Sequence, residues 1–132
     1  MLTATAATLC LAMNIYQEAR SEPSIGQIAV GLVTINRSIK HNRPICKVVY
    51  RKSQFSWTNN AFDEKGRFKK EYLPHGVRWL QAKQLAKLLM AGVVEDFTDG
   101  ADHYYADYIA PPLWSKHMEY KGKWGTHYFY KE

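Results

Sequence analysis

The sequence has no hydrophobic run long enough to cross a membrane. Its longest mostly apolar stretch extends from Ala4 to Ile15, whereas a membrane-spanning helix needs about 20 apolar residues. Only Met-Leu-Thr precedes this stretch, and none of the three is basic, so the pattern of a secretory signal peptide is missing. The sequence therefore predicts no stable membrane insertion.

Cysteine is scarce, because the chain contains only Cys10 and Cys46. Two cysteines without CxxC spacing cannot form a four-cysteine zinc site, and they are compatible with one disulfide or with two buried thiols. The five histidines form neither an HExxH motif nor an H-x-H pair, so a metal site would need distant residues to converge. We therefore predict no metal and no other cofactor.

Acidic residues are outnumbered by basic ones. The chain has 18 Lys and Arg against 12 Asp and Glu, which gives a formal net charge of +6. This excess favours a polyanionic partner such as nucleic acid, anionic lipid or an acidic cell-wall polymer, although basic runs such as 65–70 are also typical of a solvated surface. With 132 residues, of which 46% are hydrophobic, the chain is long enough for one packed core and too short for two. We expect a single domain over residues 1–132.

The N-terminal part of the chain has the pattern of two helices. Small and apolar side chains recur at helical spacing from Ala4 to Arg20. A second, strongly amphipathic helix is predicted to end near Ser38. We expect Pro23 in the first turn of this second helix, with Ser21 or Glu22 at its cap.

The rest of the chain is less regular. We expect a short helical turn from Cys46 to Tyr50, loops and a short hairpin over 51–73, a helix between Gly76 and Gly92, and a closing strand from Trp124 to Tyr130. Together these elements predict an α+β domain that is predominantly helical, with a helical lobe and a small β-containing lobe. Domains built from two such parts often bind ligands in the crease between them.

Glu18 is the main candidate for chemistry. It follows Leu11 by seven residues and Ile15 by three, so a continuing helix places its carboxyl group on the apolar face. Desolvation on that face disfavours the ionised form and raises the pKa, which is the property that a general acid needs near neutral pH. The alternative is that Glu18 pairs with Arg20 or with a lysine at the rim of the domain.

Glu22 lies one helical turn after Glu18, and two carboxylates at this spacing can share a site. Glu22 directly precedes Pro23, where the first helix is expected to end. It is therefore better suited to capping a helix or orienting its neighbours than to acting as a nucleophile, and we include it among the candidates for substrate binding.

Two further groups combine aromatic and polar side chains. They are Gln54-Phe55-Ser56-Trp57 and His103-Tyr104-Tyr105. Aromatic faces stack on sugar rings or on nucleic-acid bases, while amide groups bind hydroxyl groups. We regard these residues as candidates for substrate binding, and ordinary core packing is the alternative for each of the aromatic rings.

Several short motifs follow one another along almost the whole chain. They are Leu11–Arg20, Glu22-Pro23, Gly26–Val30, Asn36-Arg37, Ile45–Tyr50, Gln54–Trp57, Gly100-Ala101, His103-Tyr104, Pro111-Pro112, Gly125 and His127. In this order and at this spacing they resemble the SleB/CwlJ-type cell wall hydrolases, a family first associated with spore-cortex lysis and also found in phage genomes. The resemblance covers about residues 9–131 and leaves no room for a separate wall-binding module.

The resemblance implies a fold and an activity. The fold is lysozyme-like and similar to that of lytic transglycosylases, and the activity is cleavage of the peptidoglycan glycan strand between N-acetylmuramic acid and N-acetylglucosamine. The product would be a 1,6-anhydro end from a lytic transglycosylase or a reducing end from a muramidase. In the family, the first Glu of the E-A-R-x-E motif is the catalytic acid, and Glu18 stands at that position. A compact, phage-type endolysin is the implied kind of protein.

The sequence departs from the family pattern at three positions. Ser21 replaces the usual Gly, Asp102 stands where Thr is common, and Tyr105 stands where His is common. Asp102 is therefore a candidate for a second acid/base or for substrate binding, or else a hydrogen-bonding surface residue. Cys10 and Cys46 stand where relatives often carry cysteine, which implies that they are packed neighbours without proving a disulfide.

Two alternative functions stay open at this stage. An N-acetylmuramoyl-L-alanine amidase would use a metal held by some of Glu18, His103 and His127. A non-catalytic module would bind glycan or single-stranded nucleic acid through its aromatic side chains. On the main interpretation the partner is peptidoglycan and not nucleic acid. We then expect a monomer that waits in the host cytoplasm before release to the periplasm or cell wall, or else a secreted mature form.

Overall fold

The computed structural model describes residues 5–51 and 56–132, without the side chains of Ser56 and Asn59. Five helices precede a three-stranded sheet in this part of the chain. The α-helices are α1 (Ala6–Ala19), α2 (Ser24–His41), α3 (Ile45–Val49), α4 (Ser56–Asn60) and α5 (Gly76–Met90). The strands are β1 (His103–Ala106), β2 (Glu119–Trp124) and β3 (His127–Lys131), and two short 3-10 helices span Lys70–Tyr72 and Leu113–Lys116. None of the described helices has the length and apolar character that a membrane span requires.

Helices α1 and α2 confirm the two N-terminal predictions, with one correction at their junction. Thr5 caps α1, since its hydroxyl oxygen accepts a hydrogen bond from the Thr8 backbone N–H at 3.2 Å. The cap of α2 is Pro23 itself, in an extended conformation, and not Ser21 or Glu22. The Pro23 carbonyl accepts hydrogen bonds from the backbone N–H groups of Gly26 and Gln27. Pro23 therefore stands one residue before the helix, and not in its first turn as predicted.

The middle of the chain is more ordered than its sequence pattern indicates. The prediction for 51–73 was loops and a short hairpin. The hairpin corresponds to a single bridge between Phe62 and Phe68, but α4 and a 3-10 helix also lie in this range. Helices of five and three residues are too short to show a 3.6-residue period in the sequence.

The sheet has the antiparallel strand order β1-β3-β2. The prediction of one closing strand from Trp124 to Tyr130 was wrong, because this stretch contains the end of β2, a turn and β3. Strand β1 was missed altogether. Aromatic residues stand on both faces of these strands, so the sequence lacks the alternation of polar and apolar residues that identifies a half-buried strand.

Two hydrophobic clusters meet at helix α1. The larger cluster joins α1 to α2, α3 and α5 through residues such as Leu11 and Ile15. Gly31 on α2 permits this close approach, because a Cβ atom there would lie 2.6 Å from Leu89 Cδ1. The smaller cluster lies between α2 and the sheet, around Phe129, and it includes Ala19 at the end of α1. The last turn of α1 is therefore the place where the helical lobe meets the β-containing lobe.

Cys10 and Cys46 form a disulfide that joins α1 to α3, with their Cα atoms 5.3 Å apart. The two cysteines are separated by 36 positions in the sequence. A cross-link over a loop of this length stabilises the fold chiefly by restricting the unfolded chain.

We predict that the Cys10→Ser/Cys46→Ser double variant loses about 2–4 kcal/mol of unfolding free energy, because its unfolded state is no longer constrained. Urea unfolding followed by circular dichroism measures this change. Dithiothreitol should destabilise the wild type and leave the double variant unaffected. Equal stability of the two proteins under oxidising conditions would contradict the prediction.

Candidate active site

Glu18 lies in the last turn of α1 and opens into a cavity of about 370 Å³. This volume is within the range of natural ligand sites. The wall of this Glu18 cavity is formed by Gln17, Glu18, Ala19, Arg20, Ser21, Glu22, Tyr108, Thr126 and His127. The C-terminal end of α1 and the turn between β2 and β3 thus both contribute to the cavity wall.

Burial raises the pKa of the Glu18 carboxyl above its ordinary value. The Tyr104 hydroxyl and the positive charge of Arg37 act in the opposite direction and only partly offset this effect. The pKa of Glu18 on this apolar helix face is thus raised, as the sequence predicts. A carboxyl group with a raised pKa can hold a proton at a pH where an exposed glutamate has lost it.

Tyr104 projects from β1 toward Glu18. It stands opposite Phe129 in the sheet, and its ring packs edge-to-face on the ring of His127 at 5.1 Å. Burial raises the pKa of Tyr104 well above its usual range, so its hydroxyl stays protonated. This hydroxyl is close enough to Glu18 to lower the pKa of its carboxyl group. It forms no hydrogen bond of standard geometry with any described residue. It is therefore a buried donor directed at the carboxyl group.

Arg37 provides a buried positive charge behind Tyr104. Its Nε atom donates a hydrogen bond to the backbone oxygen of Asp102 at 2.6 Å. Burial lowers the pKa of Arg37, and the neighbouring Tyr104, Asp102 and Glu18 raise it. Because an arginine side chain stays charged over the whole pH range in which a carboxyl group titrates, Arg37 limits the rise in the pKa of Glu18.

Glu22 holds the sheet turn against the end of α1. Its Oε1 atom accepts hydrogen bonds from the Thr126 backbone N–H at 2.7 Å, the Thr126 hydroxyl at 2.7 Å and His127 Nδ1 at 2.9 Å. Burial would raise the pKa of Glu22, but these hydrogen bonds outweigh it and lower the pKa. Gly125 is required beside this carboxylate, because it has a φ of +63° and a Cβ atom would lie 2.7 Å from Oε1.

Asp102, the candidate for a second acid/base, does not line the Glu18 cavity. Its carboxylate accepts hydrogen bonds from Lys40 Nζ at 2.9 Å, His103 Nδ1 at 2.8 Å and the Glu132 backbone N–H at 2.9 Å. Burial would raise the pKa of Asp102, but these partners outweigh it and lower the pKa. The structure therefore places Asp102 as an ionised anchor between α2 and the sheet, and it gives no support to a role as a second acid/base.

The His103-Tyr104-Tyr105 group is divided between the two faces of the sheet. Only Tyr104 points toward Glu18. His103 packs against Trp114 at 5.2 Å, and Tyr105 stacks on Tyr130 at 5.7 Å on the opposite face. As a result, His103 and Tyr105 stand outside the Glu18 cavity.

Trp57 is packed in the larger hydrophobic cluster, against Tyr50 at 5.8 Å and Phe68 at 6.5 Å. Its ring therefore packs in the core, which agrees with the alternative of ordinary core packing, and its predicted role in substrate binding stays a prediction. Ser56 begins α4, and its side chain is not described. Gln54 and Phe55 lie outside the described residues, so their predicted role in substrate binding stays a prediction.

Of the nine residues that line the cavity, Glu18 and Glu22 were among the predicted site residues and seven were not, namely Gln17, Ala19, Arg20, Ser21, Tyr108, Thr126 and His127. Gln17 was hidden inside the α1 pattern. Tyr108 was one of many aromatic residues in an irregular region, and it is 81% exposed. Thr126 lies in a turn that the sequence had assigned to a strand. The E-A-R-x-E motif and His127, which is also part of the family resemblance, pointed to this part of the molecule.

Residues 5–51 and 56–132 contain no group of three His, Cys, Asp or Glu side chains that could hold a metal ion. The ligand set considered for an amidase is separated by the sheet. His103 pairs with Tyr130 and lies on one face, whereas His127 pairs with Ala106 and lies on the other. The two rings therefore cannot share a metal with Glu18.

Glu18→Gln is expected to raise the melting temperature at pH 7. The raised pKa of Glu18 means that the folded state favours the protonated carboxyl, so ionisation at neutral pH weakens the wild type. The neutral amide avoids this penalty. The difference between the two proteins should shrink as the pH falls through the folded-state pKa and the wild type becomes protonated. Thermal unfolding between pH 4 and pH 8 tests this, and a lower melting temperature of the variant at pH 7 would refute it.

Glu22→Ala should cost about 1–2 kcal/mol of unfolding free energy at pH 7, because it removes the acceptor of three hydrogen bonds, of which the two from Thr126 are exposed and can be replaced by water. Since the pKa of Glu22 is lowered in the fold, its contribution is present above the ordinary glutamate pKa and is lost as the pH falls through the folded-state value. Urea unfolding at pH 7 and pH 3 measures both effects. Glu95→Ala, at an exposed position, is the control, and an equal effect of the two variants would disprove the role of Glu22.

Comparisons with known proteins agree on one family. A cell wall hydrolase family model matches residues 21–130, more than four fifths of the chain. The structure is similar to the crystal structure of the catalytic domain of the Bacillus cereus SleB protein, with 26% identity, a TM-score of 0.70 and coverage of 99% of this chain and 94% of that one. It is also similar to the catalytic domain of the germination-specific lytic transglycosylase SleB from Bacillus anthracis, with 25% identity, a TM-score of 0.71 and coverage of 96% of each chain. A comparison with curated proteins gave no match.

These similarities confirm the predicted lysozyme-like α+β fold. The family model begins at residue 21, and the structural similarity extends over α1 and Glu18 because it covers nearly the whole chain. The chain therefore belongs to the family of SleB/CwlJ-type cell wall hydrolases.

Proposed function

We propose that this protein cleaves the glycan strands of peptidoglycan between N-acetylmuramic acid and N-acetylglucosamine, as a lytic transglycosylase. The observation that carries the proposal is the Glu18 carboxyl group, which has a raised pKa and opens into a cavity of about 370 Å³. Membership of the cell wall hydrolase family supports peptidoglycan as the substrate. The similar protein from Bacillus anthracis is described as a germination-specific lytic transglycosylase.

In the first step, protonated Glu18 donates its proton to the glycosidic oxygen. The bond from C1 of N-acetylmuramic acid to this oxygen breaks, and the oxygen leaves as the hydroxyl group of N-acetylglucosamine. C1 becomes positively charged and oxocarbenium-like. The carboxylate that remains on Glu18 lies in the same cavity and stabilises this charge.

In the second step, the Glu18 carboxylate takes the proton from the C6 hydroxyl of the same N-acetylmuramic acid residue. The C6 oxygen bonds to C1 and closes a 1,6-anhydro ring. Glu18 is protonated again at the end, and no water is consumed. One carboxyl group thus completes the cycle.

The distribution of carboxylates favours this reaction over hydrolysis. A water-using glycosidase needs a second carboxyl group beside the scissile bond. Among the described residues that line the Glu18 cavity, the other carboxylate is that of Glu22, which already accepts three hydrogen bonds. Residues 1–4 and 52–55 contain no Asp or Glu, so they cannot supply one.

Tyr108 is suited to contact the sugar. It lines the Glu18 cavity and is 81% exposed. An exposed aromatic ring beside a catalytic carboxyl group provides a flat apolar surface on which a pyranose ring can stack. We therefore include Tyr108 among the substrate-binding residues, although the sequence pattern did not mark it.

We also propose that the protein acts after leaving the cytoplasm. The Cys10–Cys46 disulfide supports this, because disulfides persist in oxidising compartments and are rare in the reducing cytoplasm. An endolysin that is released to the periplasm or cell wall is one protein of this kind, and a secreted enzyme is another.

Glu18→Gln should lower the rate of glycan cleavage by at least about 10²–10⁴-fold, because the amide can neither donate nor accept the catalytic proton. Mass spectrometry of soluble products from purified peptidoglycan provides the measurement. The wild type should release fragments ending in 1,6-anhydro-muramic acid, and the variant should release almost none. The matched control is Glu95→Gln, which removes an exposed carboxylate that does not line the Glu18 cavity. This variant should cleave peptidoglycan at the rate of the wild type.

Three results would contradict the proposal in different ways. Full activity of Glu18→Gln would remove Glu18 from the mechanism. Reducing ends in place of anhydro ends would indicate hydrolysis by water. Free stem peptides would indicate cleavage of the amide linkage and support the amidase alternative.

A further inference from the structure

A second cavity adjoins the Glu18 cavity along the end of α1. It has a volume of about 450 Å³ and is lined by Tyr16, Gln17, Arg20, Glu71, His75, Gly76, Val77 and Arg78. Gln17 and Arg20 also line the Glu18 cavity. A ligand bound at Glu18 can therefore extend into this second space, which we call the arginine cavity.

The two arginines of this cavity are held in place by neutral groups. Arg78 Nη1 donates to the Arg20 backbone oxygen at 2.8 Å and to the Ser21 hydroxyl at 3.1 Å. Arg20 Nη1 donates to the backbone oxygens of Tyr16 at 3.2 Å and Gln17 at 3.4 Å. The Arg20 guanidinium also lies over the Tyr16 ring, 5.0 Å from its centre. Among the described residues, each guanidinium is thus oriented by contacts that use one of its nitrogen atoms for hydrogen bonds.

Neither arginine has an ion-pair partner within the part of the chain that the structure describes. Glu71 lines the same cavity but forms no such pair with them. Lys40 pairs with Asp102 and Lys123 with Asp107, whereas these two arginines share the absence of an ion pair with most of the described Lys and Arg residues. They differ from those residues in lining the arginine cavity together. The arginine cavity therefore contains two positive charges without a carboxylate bound to them.

A guanidinium with free N–H groups matches a carboxylate in both charge and geometry. In peptidoglycan, carboxylates are carried by the peptide stems, which are attached to N-acetylmuramic acid. This is the sugar whose bond Glu18 would cleave, so the stem is attached close to the reacting centre. The positive charge of the cavity and its position beside Glu18 therefore both indicate a carboxylate of the peptide stem as the ligand.

We propose that the arginine cavity binds a carboxylate of the peptide stem through Arg20 and Arg78, next to the sugar held at Glu18. This inference rests on the proposed function and adds to it a preference for strands whose stems carry free carboxylates. Arg78 is the better residue to test, because it lines the arginine cavity and is not part of the Glu18 cavity wall.

The experiment measures binding in the Glu18→Gln background, so that cleavage does not interfere. The probes are soluble glycan fragments with intact peptide stems and the same fragments after their carboxylates have been converted to amides with carbodiimide and ammonia. We expect the native fragments to bind about tenfold more tightly than the amidated ones, as two charge-assisted contacts at an open site would allow. When Arg78→Gln is introduced into the Glu18→Gln protein, the preference for native over amidated fragments should fall to within about twofold.

Two further variants complete the design. Lys87→Gln removes one positive charge from an exposed position on the same helix and should keep the tenfold preference, which separates a local contact from the general attraction of a basic protein. Arg78→Lys keeps the charge but loses the guanidinium geometry and should lower the preference to about threefold, so that it tests the site even if Arg78→Gln proves unstable. Equal binding of native and amidated fragments, or an undiminished preference in Arg78→Gln, would overturn the inference. Absence of cleavage by the wild type would overturn only the proposed function, because the binding preference is measured independently.

Discussion

The burial of the Glu18 carboxyl group is the constraint on which the rest of the site depends. Helix α1 packs Leu11 and Ile15 in the core of the helical lobe, and its last turn continues the same face to the junction with the sheet. A carboxyl group on that face must lose water, and this loss raises its pKa. The buried position thus makes ionisation of Glu18 unfavourable, which lowers the stability of the fold at neutral pH. The same effect keeps the carboxyl group protonated at a higher pH, so that it can donate its proton to the glycosidic oxygen.

Two polar attachments hold the β-containing lobe in the position that this chemistry needs. Near the turn between β2 and β3, Glu22 accepts three hydrogen bonds from Thr126 and His127. At the start of β1, Arg37 and Lys40 of α2 both bind Asp102. Asp102 lies two residues before Tyr104, so its attachment to α2 also fixes the residue whose hydroxyl faces Glu18. The acidic residues near Glu18 therefore position the site, and the carboxyl group available for proton transfer is that of Glu18 itself.

The sequence allowed the helical lobe and Glu18 to be predicted, since both follow from a helical repeat of apolar residues and from a motif in α1. The β-containing lobe was harder to predict, because Tyr104 and Tyr105 are adjacent aromatic residues on opposite faces and give no alternating pattern. Trp57 shows the same difficulty, since an aromatic residue in a polar motif fits a sugar site or a core equally well. The roles of Asp102 and Thr126 depend on contacts over about 30 and 104 positions of the chain, which no local pattern contains.

The pKa of the Glu18 carboxyl group is the most direct test of this mechanism. A protein labelled with ¹³C at the glutamate side-chain carboxyl carbon can be titrated by NMR, and the Glu18 signal is identified by its loss in Glu18→Gln. A buried acid predicts a midpoint above the ordinary glutamate value of about 4.3, together with a midpoint below that value for Glu22. A Glu18 midpoint at or below the ordinary value would mean that the carboxyl group is solvated and ionised, and it could not then serve as the proton donor described above.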